Sequence, residues 1–90
     1  MKRVRVIIRG KVQGVFFRAN LKENALMNDL AGYVRNLEDG SVEAVFEGDD
    51  ADIEEIIEYC HEGPRAAKVD DVEVIEEEYK GDSEGFEIRR

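Results

Sequence analysis

The stretch GKVQGVFFR, residues 10–18, sets two glycines, a glutamine and an arginine into one short turn of an acidic chain. Fixing a glycine costs backbone entropy, so Gly10 and Gly14 mark dihedrals that other residues avoid, or a close approach of the backbone to something. Such a turn can curl the N–H groups of residues 11–18 into a concave nest, and the first N–H groups of a following helix have no partner within that helix. A small oxyanion is what such a surface holds. The helix macrodipole adds roughly half a positive charge at that end. The Arg18 guanidinium can make two parallel charge-assisted bonds to anion oxygens, which the point charge of a lysine cannot. By spacing alone, a Gly-x-x-x-Gly turn is commoner in ordinary loops than in anion sites.

The charge distribution points the same way. Lys2, Arg3, Arg5, Arg9, Lys11 and Arg18 have no acid among them over residues 1–18, in a chain of 13 basic and 22 acidic side chains and net charge -9. A basic island in an acidic protein suits a small anion better than a polymer, and the overall balance argues against a nucleic-acid backbone as partner. The plainer reading of Arg3, Arg5 and Arg9 is that they alternate on the solvent face of an edge strand and keep it soluble. Arg18 lies beyond that strand. Cys60 is the only cysteine and His61 the only histidine, which excludes a disulfide framework and a cysteine-rich metal site. Cys60 reads as a small core residue and His61 as an exposed helix-end residue. No apolar run approaches the roughly 20 residues of a membrane span, and MKRVRVIIRG is too short and too charged for a signal peptide. The expectation is a cytoplasmic protein without a membrane partner, folded as one domain over its 90 residues around a single core.

The elements that must position the turn follow from hydrophobic periodicity. Val4, Val6 and Ile8 alternate with basic residues, a half-buried strand over residues 3–9. Residues 18–28 read as a helix, with Leu21, Ala25 and Asn28 on one stripe. Asp39-Gly40 is the signal of a two-residue hairpin turn between two strands, with Val34 and Asn36 sharing a face of the first and Val42, Ala44 and Phe46 a face of the second. Asp49 and Asp50 supply an N-cap and early negative charge for a second helix. Ile53, Ile56, Ile57 and Cys60 form its apolar stripe, and Gly63-Pro64 ends it. Val72 and Val74, then Phe86 and Ile88, mark two more strands, and Glu76, Glu77 and Glu78 read as a solvated strand end. The predicted class is α+β. It is a ferredoxin-like split β-α-β sandwich, βαββαβ plus a short C-terminal strand, with a mostly antiparallel sheet and two helices on one face. Each crossover joins parallel strands, so Arg18 and Asn36 come to the same sheet edge although far apart in sequence.

These residues carry a family resemblance. GKVQGVFFR resembles the G-x-V-Q-G-V-x-F-R signature of acylphosphatases at every specified position, and GYVRNLEDGSVEAVFEG is similar to the family's second signature, with GPRAAKV and the closing FEI continuing the match. The family commonly has a glycine where Asp29 stands, and aspartate tolerates the left-handed conformation, so helix capping changes rather than chemistry. The resemblance implies hydrolysis of the carboxyl-phosphate bond of acyl phosphates. It places the phosphate on Lys11, Val12, Gln13, Gly14, Val15, Phe16, Phe17 and Arg18, with Arg18 and Asn36 as the catalytic residues. It implies no metal and no cofactor, with an acyl phosphate and inorganic phosphate as the only ligands of a monomer. Neither motif holds a serine, threonine, cysteine or histidine ahead of Asn36, so a covalent intermediate lacks a nucleophile and water must attack directly. The family's matching asparagine holds that water. Read alone, Asn36 is a strand-end amide bonding turn backbone. Gln13 reads as bonding backbone within its own loop, Val15 and Phe17 as anchors of the loop in the core, and Tyr33 as packing near the start of its strand. Two other functions stay open: a noncatalytic anion-binding module of the same fold, and an RNA-binding sheet, which would need exposed aromatics that SVEAVFEG does not supply.

Overall fold

The computed structural model describes residues 1–90. Seven elements follow one another: β1 (Lys2–Lys11), α1 (Phe17–Met27), β2 (Ala31–Asn36), β3 (Val42–Gly48), α2 (Asp50–Glu62), β4 (Lys68–Glu77) and β5 (Phe86–Arg89). The sheet runs in the order β4-β1-β3-β2-β5, antiparallel except where β5 lies parallel to β2. β1 and β2 both pair antiparallel with β3, so they run parallel to each other and their C-terminal ends share one sheet edge, as the crossover expectation required.

Alternation decides which face each strand buries. Val4, Val6 and Ile8 of β1 stand in register with Phe46, Ala44 and Val42 of β3 and form the core with Val34, Phe86 and the helix residues Phe17, Leu21, Ala25, Ile53, Ile56 and Cys60. Both helices therefore cover the same face. No helix is long and apolar enough to cross a membrane.

The opposite face has no third layer, and a lattice of ions covers it instead. β1 lies between β4 and β3 and is not an edge, which corrects the reading of its arginines as edge protectors. Arg3 bridges Glu47 at 3.1 Å and Glu77 at 3.0 Å, Arg5 bridges Glu43 and Glu77 at 2.8 Å each, and Arg35 reaches Glu43 at 2.7 Å. Glu77 is thus a paired residue rather than a solvated strand end. Val45, flanked in register by Arg5 and Tyr33, is fully buried here, because long side chains lay their apolar stems over it. Tyr33 accepts a bond from Arg5 at 3.3 Å and carries the Arg89 guanidinium 4.0 Å above its ring. Arg9 pairs with Asp71 and Glu73, so the basic island of the first strand is largely neutralised.

Two helix ends and one turn correct further expectations. Asn28 leaves the apolar stripe and becomes the C-cap of α1. Asp29 then takes φ 55 as expected. The chain closes a Schellman motif, with Leu30 N–H on Ala25 O at 2.9 Å and Asp29 N–H on Leu26 O at 3.3 Å. Asp49 occupies the N-cap of α2 but its carboxylate makes no capping bond, leaving Asp50 and Asp52 to face the dipole. The β2–β3 turn spans three residues, not two. Leu37 N–H bonds Ser41 O at 2.9 Å, Gly40 N–H bonds Leu37 O at 3.2 Å, and Gly40 sits at φ 94, the pattern of a turn followed by a left-handed glycine bulge.

Candidate active site

The segment between β1 and α1 has two positive-φ positions close together, Gly14 at 73° and Phe16 at 65°. A Cβ on Gly14 would meet nothing within 4 Å, so glycine serves the dihedral there. Gly10 serves a close approach instead, because a Cβ would stand 2.2 Å from Lys68 O where β1 bulges against β4. From Gln13 to Ala19 no backbone N–H donates to a backbone carbonyl, and the first helical bond is Asn20 N–H to Phe16 O at 3.1 Å. A row of free donors thus meets the positive end of the α1 dipole.

Three apolar anchors hold the loop in place: Val12 and Phe17 at 1% exposure and Val15 at 5%. Phe17 meets Tyr59 edge to face at 6.2 Å and packs so close to Gly63 that a Cβ there would come within 2.8 Å of its ring. Gln13 supplies a polar anchor. Its side-chain amide donates to Leu37 O at 2.8 Å and Ser41 O at 2.9 Å, so it ties the loop to the β2–β3 turn rather than to its own backbone. Leu37 follows Asn36, and the tie therefore sets the loop's distance from that residue.

Arg18, in the first turn of α1, makes no ion pair, unlike Arg3, Arg5, Arg9 and Arg35. It lines a cleft of about 310 Å³ with Val12, Gly14, Phe16, Phe17, Ala19 and Ile88. No acidic side chain and no second base lines that cleft, so the charge facing an anion there is that of Arg18 and of backbone dipoles. The structure thus brings together five of the sequence-predicted residues. Lys11 is exposed and outside the cleft, Gln13 and Val15 turn their side chains elsewhere, and Asn36 does not line it.

Asn36 ends β2 opposite Val42. Its Oδ1 is the one buried side-chain polar atom without a hydrogen-bond partner, which sets aside the reading of a strand-end amide satisfied by turn backbone. Val34, one pleat earlier on the same face, pairs with Ile88 of β5, and Ile88 and Ala19, the residue after Arg18, are the cleft residues outside the set expected from sequence. The apolar type of Ile88 at strand spacing was visible. What was not is that β5 adds parallel to β2 and carries Ile88 to Arg18. Cys60 lies fully in the core with burial pushing its thiol up to about 12, and His61 is exposed, so neither belongs to the site.

Comparison with known proteins places this fold among characterised relatives. The Acylphosphatase family model matches residues 4–88. The acylphosphatase of Rubrobacter xylanophilus is 53% identical over 88 residues, covering 98% of this chain and 80% of that protein. The crystal structure of acylphosphatase from Bacillus subtilis superposes with a TM-score of 0.96 at 34% identity, over 100% of both chains. That of T. kodakarensis HypF gives 0.85 at 35% identity, covering 100% of this chain and 12% of the larger one. Because the match takes in the donor-lined loop, Asn36 and every strand that holds them, the chain belongs to the acylphosphatase family, whose reaction is hydrolysis of acyl phosphates.

Proposed function

We propose that this acylphosphatase cleaves the carboxyl-phosphate bond by holding the phosphoryl group on the loop of residues 11–18 and Arg18 while Asn36 positions the attacking water. The phosphoryl oxygens accept bonds from the converging N–H groups, and the Arg18 fork closes the cradle and stabilises the charge that spreads over those oxygens. Asn36 offers its amide as donor and acceptor to one water in line with phosphorus. The water oxygen bonds to phosphorus and the bond from phosphorus to the acyl oxygen breaks. Its electron pair leaves with the carboxylate, and the water's proton passes to a phosphoryl oxygen. An amide is no base, and a carboxylate is a good leaving group, so positioning and charge stabilisation carry the reaction, as in phosphoryl transfer generally. One observation supports the role of Asn36 above the others: a buried carbonyl oxygen kept without a protein partner costs about 1–3 kcal/mol, and accepting from water repays it.

On this reading the chain works as a single domain over residues 1–90, a cytoplasmic monomer without metal, cofactor, nucleic-acid or membrane partner. The test is hydrolysis of benzoyl phosphate with inorganic phosphate as competitor. Asn36→Ala should lose about a hundredfold or more in turnover, the scale of a mispositioned reactant, while phosphate competes unchanged. Parallel loss of both would make Asn36 a scaffold residue. Phosphate binding without any turnover by the unaltered protein would instead identify an anion-binding module, the second reading that the likeness to one part of HypF raises.

A further inference from the structure

The cleft that the phosphate cradle lines also has an apolar wall that phosphate chemistry does not use. Phe16 is 79% exposed although its backbone takes the left-handed conformation that bulky residues avoid, and Ile88 is 41% exposed while Phe86, on the same strand, is buried. An aromatic ring held at φ 65 with little packing to recompense it is a strained arrangement of the kind that collects at functional sites. Both side chains open onto the cleft that Arg18 lines, and Arg18 is its only charged group. Asn36 does not line that cleft. In-line displacement puts the leaving carboxylate on the side of phosphorus away from the water, and with a phosphoryl group on the cradle side of this cleft the apolar wall of Phe16 and Ile88 is the part left for the acyl group. The whole cleft, cradle side included, is about 310 Å³, at the small end of small-molecule sites of about 300–1,000 Å³, which leaves space for one ring or a short branched chain beside the phosphoryl group.

We propose that Ile88, which lines the cleft together with Phe16, is a specificity-determining residue that selects acyl phosphates with an aryl or branched aliphatic acyl group over those with a small one. The inference rests on the phosphate-cradle reading. Apolar contact is made by the whole acyl group and not by an acetyl methyl, so the preference resides in the ratio of kcat/KM between the two substrate kinds.

The experiment compares benzoyl phosphate with acetyl phosphate for the unaltered protein, Ile88→Ala and Ile88→Val, with inorganic phosphate as competitive inhibitor. Because Ile88 is a partly exposed residue of an edge strand, both variants keep the core intact. Ile88→Ala should lower the benzoyl-to-acetyl ratio about tenfold, chiefly through KM for benzoyl phosphate, with Ile88→Val giving a smaller drop and the phosphate inhibition constant steady in both. A ratio unmoved in Ile88→Ala while phosphate still competes would overturn the subsite and leave the cradle standing. Equal loss on both substrates would likewise overturn it, making Ile88 a structural support of Arg18. Absence of phosphate competition in the unaltered protein would be the failure of the cradle itself, and of the subsite with it.

Discussion

Arg18 differs from its neighbours in sequence by what it lacks: the arginines before it in the chain all have carboxylate partners, and it has none. On the proposed mechanism the unpaired guanidinium, next to a row of free N–H groups, is free to bind an oxyanion, while Arg3, Arg5 and Arg9 are taken up by ion pairs. Arg18→Ala should therefore cost about 3 kcal/mol or more in kcat/KM for benzoyl phosphate, the scale of one oxyanion donor. Arg18→Lys should recover only part of it, since lysine lacks the planar fork. Turnover within tenfold of normal in Arg18→Ala would remove Arg18 from the mechanism. The two glycines of the same segment should respond differently to alanine. Gly14→Ala meets open space and pays for its positive φ alone, about 1 kcal/mol. Gly10→Ala drives a methyl into Lys68 O and must displace β4, so its urea midpoint should fall well below that of Gly14→Ala. Equal midpoints would mean that the bulge yields easily.

At the scale of elements, the proposed site is a strand end, a loop and a helix start that must keep register with one another. Gln13 spans the gap by bonding two carbonyls of the β2–β3 turn. That turn is itself stiffened by Asp39, whose carboxylate accepts from the Ser41 hydroxyl and N–H and is held below its usual pKa chiefly by the hydroxyl. Removing the tie leaves Val12, Val15 and Phe17 buried, so the fold should survive. Gln13→Ala is expected to lower kcat about tenfold or more with little change in melting temperature, because small misplacements of reacting groups are costly. A drop in melting temperature with unchanged kcat would assign Gln13 to stability alone.

Across the whole molecule, one face of the sheet is sealed by hydrocarbon and the other by charge. Arg3 and Glu47 are both mostly buried, and Glu47 also accepts from the N–H groups of Lys80 and Gly81, which holds the β4–β5 connection over the sheet. Burial pushes the Glu47 carboxyl up, but the bonds from Lys80 and Arg3 outweigh it, so its pKa is lowered. Glu77 is lowered by its bonds from Arg5 and Arg3. A carboxylate depressed in the fold contributes its full stability above the unfolded value, about 4.3, and loses it as pH falls through the folded one. The urea midpoint should accordingly be flat from neutral pH to about 5 and fall below about 4.3, less steeply in Glu47→Gln. Glu47→Ala at pH 7 should cost about 1–3 kcal/mol, since it removes one of the two carboxylate partners of the mostly buried Arg3 and the acceptor of the Lys80 and Gly81 N–H groups. A midpoint insensitive to pH, or a Glu47→Ala cost below about 1 kcal/mol, would show the lattice to be solvent-compensated, as surface pairs are.

The sequence alone determined the element order, the layered class and the motif residues, because strand and helix periodicity, the Asp-Gly turn and the glycine-bracketed loop are local signals. Val4, Val6 and Ile8 or Ile53, Ile56 and Cys60 declare their buried face by spacing alone. Asp29 could be read as left-handed before its φ was known. Tertiary structure decided what depends on which strand lies beside which. It put β1 inside the sheet, so that arginines that read as edge protection became members of a partly buried ionic lattice, and it drew Glu77 into that lattice. It turned Gln13 toward a different loop and left Asn36 Oδ1 without a partner, both consequences of contacts distant in sequence. It also laid β5 parallel to β2, which brought Ile88 to the cleft. Pairing between strands far apart in the chain leaves no periodic trace, because it is settled by the joint burial of all five strands rather than by any one of them.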